Sequence, residues 1–182
     1  GMSYVAAMLL IYLKPFPAFV CLCNLINAPS ILGLYRLDRA AIKNRYHIFL
    51  MILNAHAPAL AGHIQSINLV PELFLLEWFL TLYTKPLSLE LASLVWDLFL
   101  LDGEVVLYMV GIAIFLMLEP QLMGRDLESW CEVLNNVSDH IPDEEHFLQR
   151  VRAVVIPQSL TKALGYGPNY VPYLVNVLFL VR

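Results

Sequence analysis

Histidines are the first residues to examine for chemistry, because their rings bind metals and transfer protons near neutral pH. His56 and His63 lie seven residues apart, so that on a helix they would share one face. No carboxylate lies near them in the sequence to complete a metal site. Each is more simply explained as a histidine whose ring makes an ordinary hydrogen bond.

Acidic residues form two further groups of candidates. Glu90 and Asp97 also lie seven residues apart, yet a polar stripe on an otherwise apolar helix accounts for both. A second group has the composition of a calcium site but lacks the alternating Asp spacing of a calcium loop. An acidic helix start explains this second group, which consists of Asp139, Asp143, Glu144 and Glu145.

The remaining signatures of chemistry are not found in the sequence. The three cysteines, Cys21, Cys23 and Cys131, include no second pair that would complete four zinc ligands. They are typical of small buried apolar side chains in a reducing, intracellular compartment. The sequence contains neither a Gly-rich phosphate loop nor a nucleophile elbow.

The composition is unusually apolar for a chain of 182 residues. Hydrophobic residues make up 59% and charged residues 14%, whereas soluble domains average about 25% charged. Such a chain is either a membrane protein or mostly protein core. Its cleanest apolar run, Val105 to Leu118, is shorter than the ~20 residues that a spanning helix needs. We therefore expect no membrane span, and the net charge of −4 without a basic block argues against nucleic acid as a partner.

Helical periodicity recurs along the chain, and strand alternation is almost absent. The pattern predicts an all-α protein, an orthogonal multi-helical bundle of about nine or ten helices. No repeat and no linker divides it, so residues 1–182 are expected to form a single helical unit. Residues 104–118 lack any polar face and are predicted to form the central helix.

Several helix ends can be placed from capping residues. Pro71 is expected to begin a helix, Asp102-Gly103-Glu104 to form a turn between two helices, and Asp126 and Asp143 to begin two later ones. The tail from Pro168 is a further apolar helix in this interpretation, although Pro172 interrupts it.

Within this helical pattern, several motifs occur in a recognisable order. The chain resembles the C-terminal half of the TBC domain, the GTPase-activating domain for Rab proteins. The resemblance is clearest over residues 1–120. It rests on Gly1-Met2 as the end of a Tyr-x-Gln-Gly-Met motif, on Trp78-Phe79, on Pro86, and on Trp96-Asp97 followed by Gly103. Each of these residues also has a structural explanation, as a core aromatic, a helix tie or a turn.

The resemblance implies a mechanism in which the domain supplies an Arg and a Gln to the nucleotide site of a Rab protein in trans. GTP and magnesium would belong to that partner GTPase, so no cofactor is expected on this chain. The resemblance also implies a cytoplasmic protein, peripheral to endomembranes, that acts in vesicle trafficking.

Neither finger motif occurs in this sequence, and no arginine of the chain stands in an Ile-x-x-Asp-x-x-Arg motif. We therefore expect the chain as given to be non-catalytic, with no catalytic residue assigned. Contact with the GTPase is expected through an exposed loop formed by Gly33, Leu34, Tyr35 and Arg36. The alternatives are a helical adaptor that binds a partner helix, and an integral membrane protein.

A low charge fraction also suggests an apolar face that requires a cover, since large exposed apolar patches are rare on monomers. The sequence therefore predicts self-association of the isolated chain, as a dimer in which helices of each copy cover the other.

Overall fold

The structure of the protein is a computed structural model that describes residues 1–141 and 143–163. Over those ranges it contains eleven α-helices, two short 3-10 helices and no β-strand. The all-α prediction is confirmed, with eleven α-helices where nine or ten were expected. The α-helices are α1 Met2–Tyr12, α2 Pro15–Ile26, α3 Pro29–Tyr35, α4 Arg39–His56, α5 Pro58–Ser66, α6 Leu75–Leu80, α7 Leu89–Asp102, α8 Val105–Leu122, α9 Leu127–Asn135, α10 Glu144–Ala153 and α11 Gln158–Ala163.

The centre of the fold is α8, as its all-apolar sequence predicts. Most of its side chains from Val106 to Leu118 are buried, and the helix packs against α4, α7 and α10. It continues through Pro120 to Leu122, beyond the predicted end at 118. By length and composition it is the one described helix that could cross a membrane, yet 61% of it is buried by its neighbours. That degree of burial is what a core helix requires.

Aromatic rings from α4, α6 and α9, together with Phe74 just before α6, surround Phe115 of α8. Phe115 lies 5.6 Å from Phe49, 5.3 Å from Phe74, 6.1 Å from Trp78 and 6.0 Å from Trp130, measured between ring centroids. These spacings fall within the range preferred by edge-to-face and tilted aromatic pairs. Their burial, at roughly 25 cal/mol per Å² of apolar surface, is a main source of stability.

The helix starts follow the capping residues. Asp126 accepts a hydrogen bond from the Ser129 N–H, and Asp143 accepts one from the His146 N–H. Both predicted starts are therefore confirmed. Pro71 is different: it begins only a 3-10 helix, Pro71–Leu73, and α6 starts later at Leu75. A second 3-10 helix spans Val137–His140. The predicted apolar helix from Pro168 lies outside the described residues.

An apolar surface remains exposed on α1 and α2. Phe16 is 77% exposed and Phe19 62% exposed, and Leu10 and Ile11 on α1 are also largely open to solvent. A helix that is apolar all round is normally buried. We refer to Leu10, Ile11, Phe16 and Phe19 as the α1–α2 face.

Candidate functional site

The segments that carry the family resemblance converge on the α6–α7–α8 region. Trp78 and Phe79 of α6 are almost completely buried. Trp78 meets Phe74 edge-on at 5.1 Å, and Phe79 meets Tyr108 of α8 edge-on at 5.3 Å, both measured between ring centroids. Both therefore act as anchors that hold α6 against the core, as their apolar surface predicts.

The connection from α6 to α7 is tied by a tryptophan. The indole N–H of Trp96 donates to Thr84 Oγ1 at 2.9 Å, while the ring itself is 6% exposed. Pro86 is half-buried in the same connection, and Ser88 caps α7 by accepting from the Leu91 N–H at 3.3 Å. The contacts of Trp96 and Ser88 therefore fix the conformation of the connection that precedes α7.

Gly103 makes the turn between α7 and α8. Its φ of +79° lies in the region that side chains disfavour, so the residue type is required there. Its N–H donates to the Phe99 carbonyl at 2.8 Å and closes α7. The prediction of a glycine turn is confirmed.

The residue after Gly103 forms a buried ion pair that has no signal in the sequence. Arg45 Nε of α4 donates to Glu104 Oε1 at 2.8 Å, and the Glu104 side chain is only 5% exposed. Burial raises the pKa of Glu104, and the adjacent Arg45 opposes this rise. The sequence predicts only that Glu104 belongs to the turn between two helices, whereas its carboxylate also fixes α4 to that turn. The two residues are 59 positions apart, so local spacing carries no signal of the pair.

Asp97, beside Trp96, is exposed at the mouth of an apolar cavity between α1, α2 and α7. Within residues 1–141 and 143–163 its carboxylate makes no hydrogen bond, so it does not tie a neighbouring helix as expected. The cavity has a volume of about 180 Å³, and a hydrogen bond of 2.8 Å joins Tyr12 Oη and Ser93 Oγ beside it. Its principal lining residues are Met8, Leu9, Cys21, Leu25, Trp96 and Leu100.

Gly1, the first residue of this chain's part of the family motif, lies against α6. A Cβ atom on Gly1 would stand 3.1 Å from Leu80 Cβ, so the backbone is close-packed there. Met2, in contrast, is half exposed to solvent.

The predicted contact loop around Gly33 is wrong in its geometry. Gly33, Leu34 and Tyr35 belong to α3, and Leu34 is completely buried. Tyr35 donates its hydroxyl to the Leu80 carbonyl at 2.7 Å, and burial raises the pKa of Tyr35 to about 12. The physical reason is that Pro29 starts a helix, in which Gly33 permits α3 to approach Ala41 of α4 closely. Of the four candidate contact residues, Arg36 remains exposed.

Next to Arg36, the turn between α3 and α4 has an uncommon conformation. Leu37 has a φ of +53° and is 60% exposed. Its N–H donates to the Leu34 carbonyl, and the Asp38 N–H donates to the Gly33 carbonyl, both at 3.0 Å. This is the Schellman pattern of helix termination, whose left-handed position is usually occupied by glycine. A left-handed conformation costs a non-glycine residue roughly 1–2 kcal/mol.

Exposed cations surround this turn. Arg36 precedes Leu37, and Arg39 and Lys43 stand one turn apart on the exposed side of α4. Asp38 caps α4 through the N–H groups of Ala40 and Ala41, at 2.9 and 3.1 Å. We call Arg36, Leu37, Arg39 and Lys43 the α3–α4 knob. Arg36 is predictable from the sequence as an exposed contact residue, whereas Leu37 is not, because an isolated Leu gives no signal of its backbone conformation.

The other candidates have structural roles in the described residues. His56 Nε2 lies 2.9 Å from the Val155 carbonyl and His63 Nε2 lies 2.9 Å from the Arg125 carbonyl, so each ring makes the ordinary hydrogen bond expected. Glu144 and Glu145 occupy the first turn of α10, as an acidic helix start predicts. Burial raises the pKa of the Cys21 thiol, which lines the cavity.

Comparisons with known proteins agree with the motif order. The Rab-GTPase-TBC domain family matches residues 1–123. Human TBC1 domain family member 14 is 33% identical over 147 residues, which is 81% of this chain and 21% of that protein. Rat TBC1 domain family member 12 is 34% identical over the same shares, and Drainin of Dictyostelium discoideum is 26% identical over 87% of this chain and 36% of its own length. The chain spans about a fifth of the TBC1 relatives it matches, and it belongs to the Rab-GTPase-TBC domain family.

Proposed function

We propose that this chain forms the part of a Rab GTPase-activating domain that scaffolds the partner's docking, and that it supplies neither catalytic finger. The observation that carries the proposal is the packing of the family motifs. Trp78, Trp96 and Gly103 each shape the α6–α7–α8 region, which positions α4 through the Arg45–Glu104 pair.

The proposal assigns the chemistry to groups outside these 182 residues. In GTPases an arginine supplied in trans neutralises charge on the transferring phosphoryl group, and a glutamine orients the attacking water. None of the arginines of this sequence stands in the family's finger motif. In this proposal GTP and magnesium belong to the partner GTPase, and the chain acts at the cytoplasmic side of endomembranes.

Single-turnover phosphate release across a panel of GTP-loaded Rab proteins tests this function. The 182-residue chain alone is expected to leave hydrolysis within a few-fold of the intrinsic rate. A fusion that places the family's two finger motifs ahead of residue 1 is expected to accelerate at least one Rab by roughly 10³–10⁵, the range known for an arginine finger. The matched control is the same fusion with the finger arginine changed to alanine.

Two outcomes would contradict the proposal. A hundredfold stimulation by the 182-residue chain alone would mean that it carries its own finger, with Arg36 and Arg39 the first to test. Failure of the fusion to bind or accelerate any Rab would remove the GTPase-activating role.

A helical adaptor is the second candidate, and the α1–α2 face favours it. Its exposed apolar side chains lie on α1 and α2, two of the helices that line the apolar cavity, and an amphipathic partner helix binds to apolar surfaces of this kind. This role would persist in variants that abolish Rab binding, whereas the first proposal predicts that the chain binds a GTPase.

A further inference from the structure

Three described helices end in the same Schellman geometry, which permits a direct comparison. At the end of α5 the left-handed residue is Asn68, and at the end of α6 it is Leu82, which is followed by a second left-handed residue, Tyr83. At the end of α3 it is Leu37. Asn tolerates this conformation better than most residues, and Leu82 is buried, so apolar burial offsets its backbone cost. Leu37 has neither compensation, because it is an exposed leucine.

The residue that follows completes the contrast. In this motif an apolar residue normally follows the left-handed position and packs back on the helix. Leu69 after α5 and Tyr83 after α6 are both buried. After α3 the corresponding residue is Asp38, whose side chain caps α4 instead. The α3 turn therefore presents its apolar side chain to solvent rather than to its own fold.

We infer that the α3–α4 knob is a docking surface for an acidic protein face with an apolar recess, and that this partner is the small GTPase. The inference rests on the proposed function and specifies which surface of the chain makes the contact. Strained residues that burial does not compensate are typical of contact and switch sites. Leu37 would fill the recess, while Arg36, Arg39 and Lys43 would face its acidic rim.

A protein partner fits these features better than a lipid surface. The two backbone hydrogen bonds and the Asp38 cap hold Leu37 in one direction, which a shaped pocket requires and a fluid bilayer does not. Three local cations are sufficient to orient an acidic partner but form a small basic patch for membrane binding.

The test uses the 182-residue chain and Rab proteins loaded with a non-hydrolysable GTP analogue, with binding measured by biolayer interferometry. Leu37→Asn is expected to weaken binding by tenfold or more. A tenfold change in affinity corresponds to about 1.4 kcal/mol, and a Leu side chain that is buried at an interface contributes more than this. The same substitution is expected to raise Tm by roughly 2–4 °C, because Asn suits the left-handed conformation. A purely structural leucine would not give a gain in stability together with a loss of binding.

Matched variants separate the knob from general surface effects. Leu73→Asn removes an equally exposed leucine outside the knob and is expected to leave binding unchanged. Arg36→Glu with Arg39→Glu is expected to slow association and reduce its dependence on salt. Arg150→Glu with Arg152→Glu reverses two exposed charges on α10 and is expected to leave association unchanged.

The outcomes distinguish this inference from the proposed function. If the native chain binds a Rab and the knob variants bind equally well, the inference is wrong and the proposed function stands. If the native chain binds no Rab, the docking role is wrong and the inference fails with it. If the knob variants lose binding only to vesicles containing phosphatidylserine, the surface is a lipid contact and the protein-docking inference is overturned.

Discussion

At the scale of single residues, the fold depends on positions where a helix backbone packs directly against another backbone or an aromatic ring. Gly111, in the middle of α8, is such a place. A Cβ atom there would lie 2.6 Å from the Tyr83 hydroxyl and 2.7 Å from a ring carbon of Phe49. Tyr83 is fully buried and donates to the Leu107 carbonyl, so it has little freedom to move.

We therefore expect Gly111→Ala to destabilise the protein by about 1–3 kcal/mol, the usual cost of overpacking a core. Thermal unfolding followed by circular dichroism measures the effect as a fall in Tm. Gly62→Ala is the matched control, since Gly62 is exposed within α5 and a Cβ atom there meets nothing within 4 Å. That change is expected to stabilise by about 0.4–1 kcal/mol. Equal effects of the two substitutions would contradict the close packing at Gly111.

The buried pair of Arg45 and Glu104 is a second residue-scale feature, and it explains why α4 and the α7–α8 turn form one unit. Desolvation of two charges is costly and is repaid only by good geometry and further hydrogen bonds. Arg45 Nη1 makes such a bond to the Ala41 carbonyl at 3.2 Å. The pair contributes more to the relative position of these elements than to stability, because an apolar pair of the same volume could replace its energy.

At the scale of elements, Trp130 determines how α9 docks. Its indole N–H donates to the Leu122 carbonyl at the end of α8, at 2.7 Å, and the ring packs against Phe115 and His63. Trp130→Phe loses that buried bond and leaves a small cavity, so we expect a destabilisation of about 1–3 kcal/mol. Hydrogen exchange is expected to accelerate in α9 more than in α7.

The control for this prediction lies in the same helix. Asp126→Ala removes only the N-cap bond to Ser129 and is expected to cost about 1 kcal/mol. If Trp130→Phe cost no more than Asp126→Ala, the tryptophan would be filling space without anchoring the helix.

The elements also show which features can be predicted from sequence. The burial of α8, the caps at Asp126 and Asp143, and the turn at Gly103 depend on local residue types, and all are confirmed. The exposed loop at Gly33 was wrong because a glycine inside a short helix has the same local signal as a turn. Its real role, close approach to Ala41, depends on a residue in another helix.

The candidate docking surface shows the same limit. Arg36 could be predicted because an exposed arginine is visible in the sequence. The left-handed conformation of Leu37 arises because α3 ends and α4 begins within a few residues of each other. To predict it, one would need to know both the last residue of α3 and the first residue of α4. Long-range pairs such as Arg45 with Glu104 are likewise specified by packing rather than by spacing.

At the scale of the whole molecule, the apolar composition is only partly accounted for by the core. The α1–α2 face remains open, with Phe16 and Phe19 more than half exposed. Contiguous apolar patches beyond a few hundred Å² are rare on monomers. We therefore expect the isolated 182-residue chain to form a dimer at micromolar concentration through this face, measured by light scattering coupled to size exclusion.

Phe16→Ser with Phe19→Ser is expected to give a monomer with unchanged helical content, because neither ring is needed by the core. Val155→Ser is the control, since that side chain is 71% exposed and its backbone carbonyl contacts His56 of α4. A native chain that elutes as a monomer, or a double variant that remains dimeric, would contradict this assignment. Because Leu37 lies outside the α1–α2 face, the double variant is also expected to retain any Rab binding, so that self-association and partner docking can be separated in one protein.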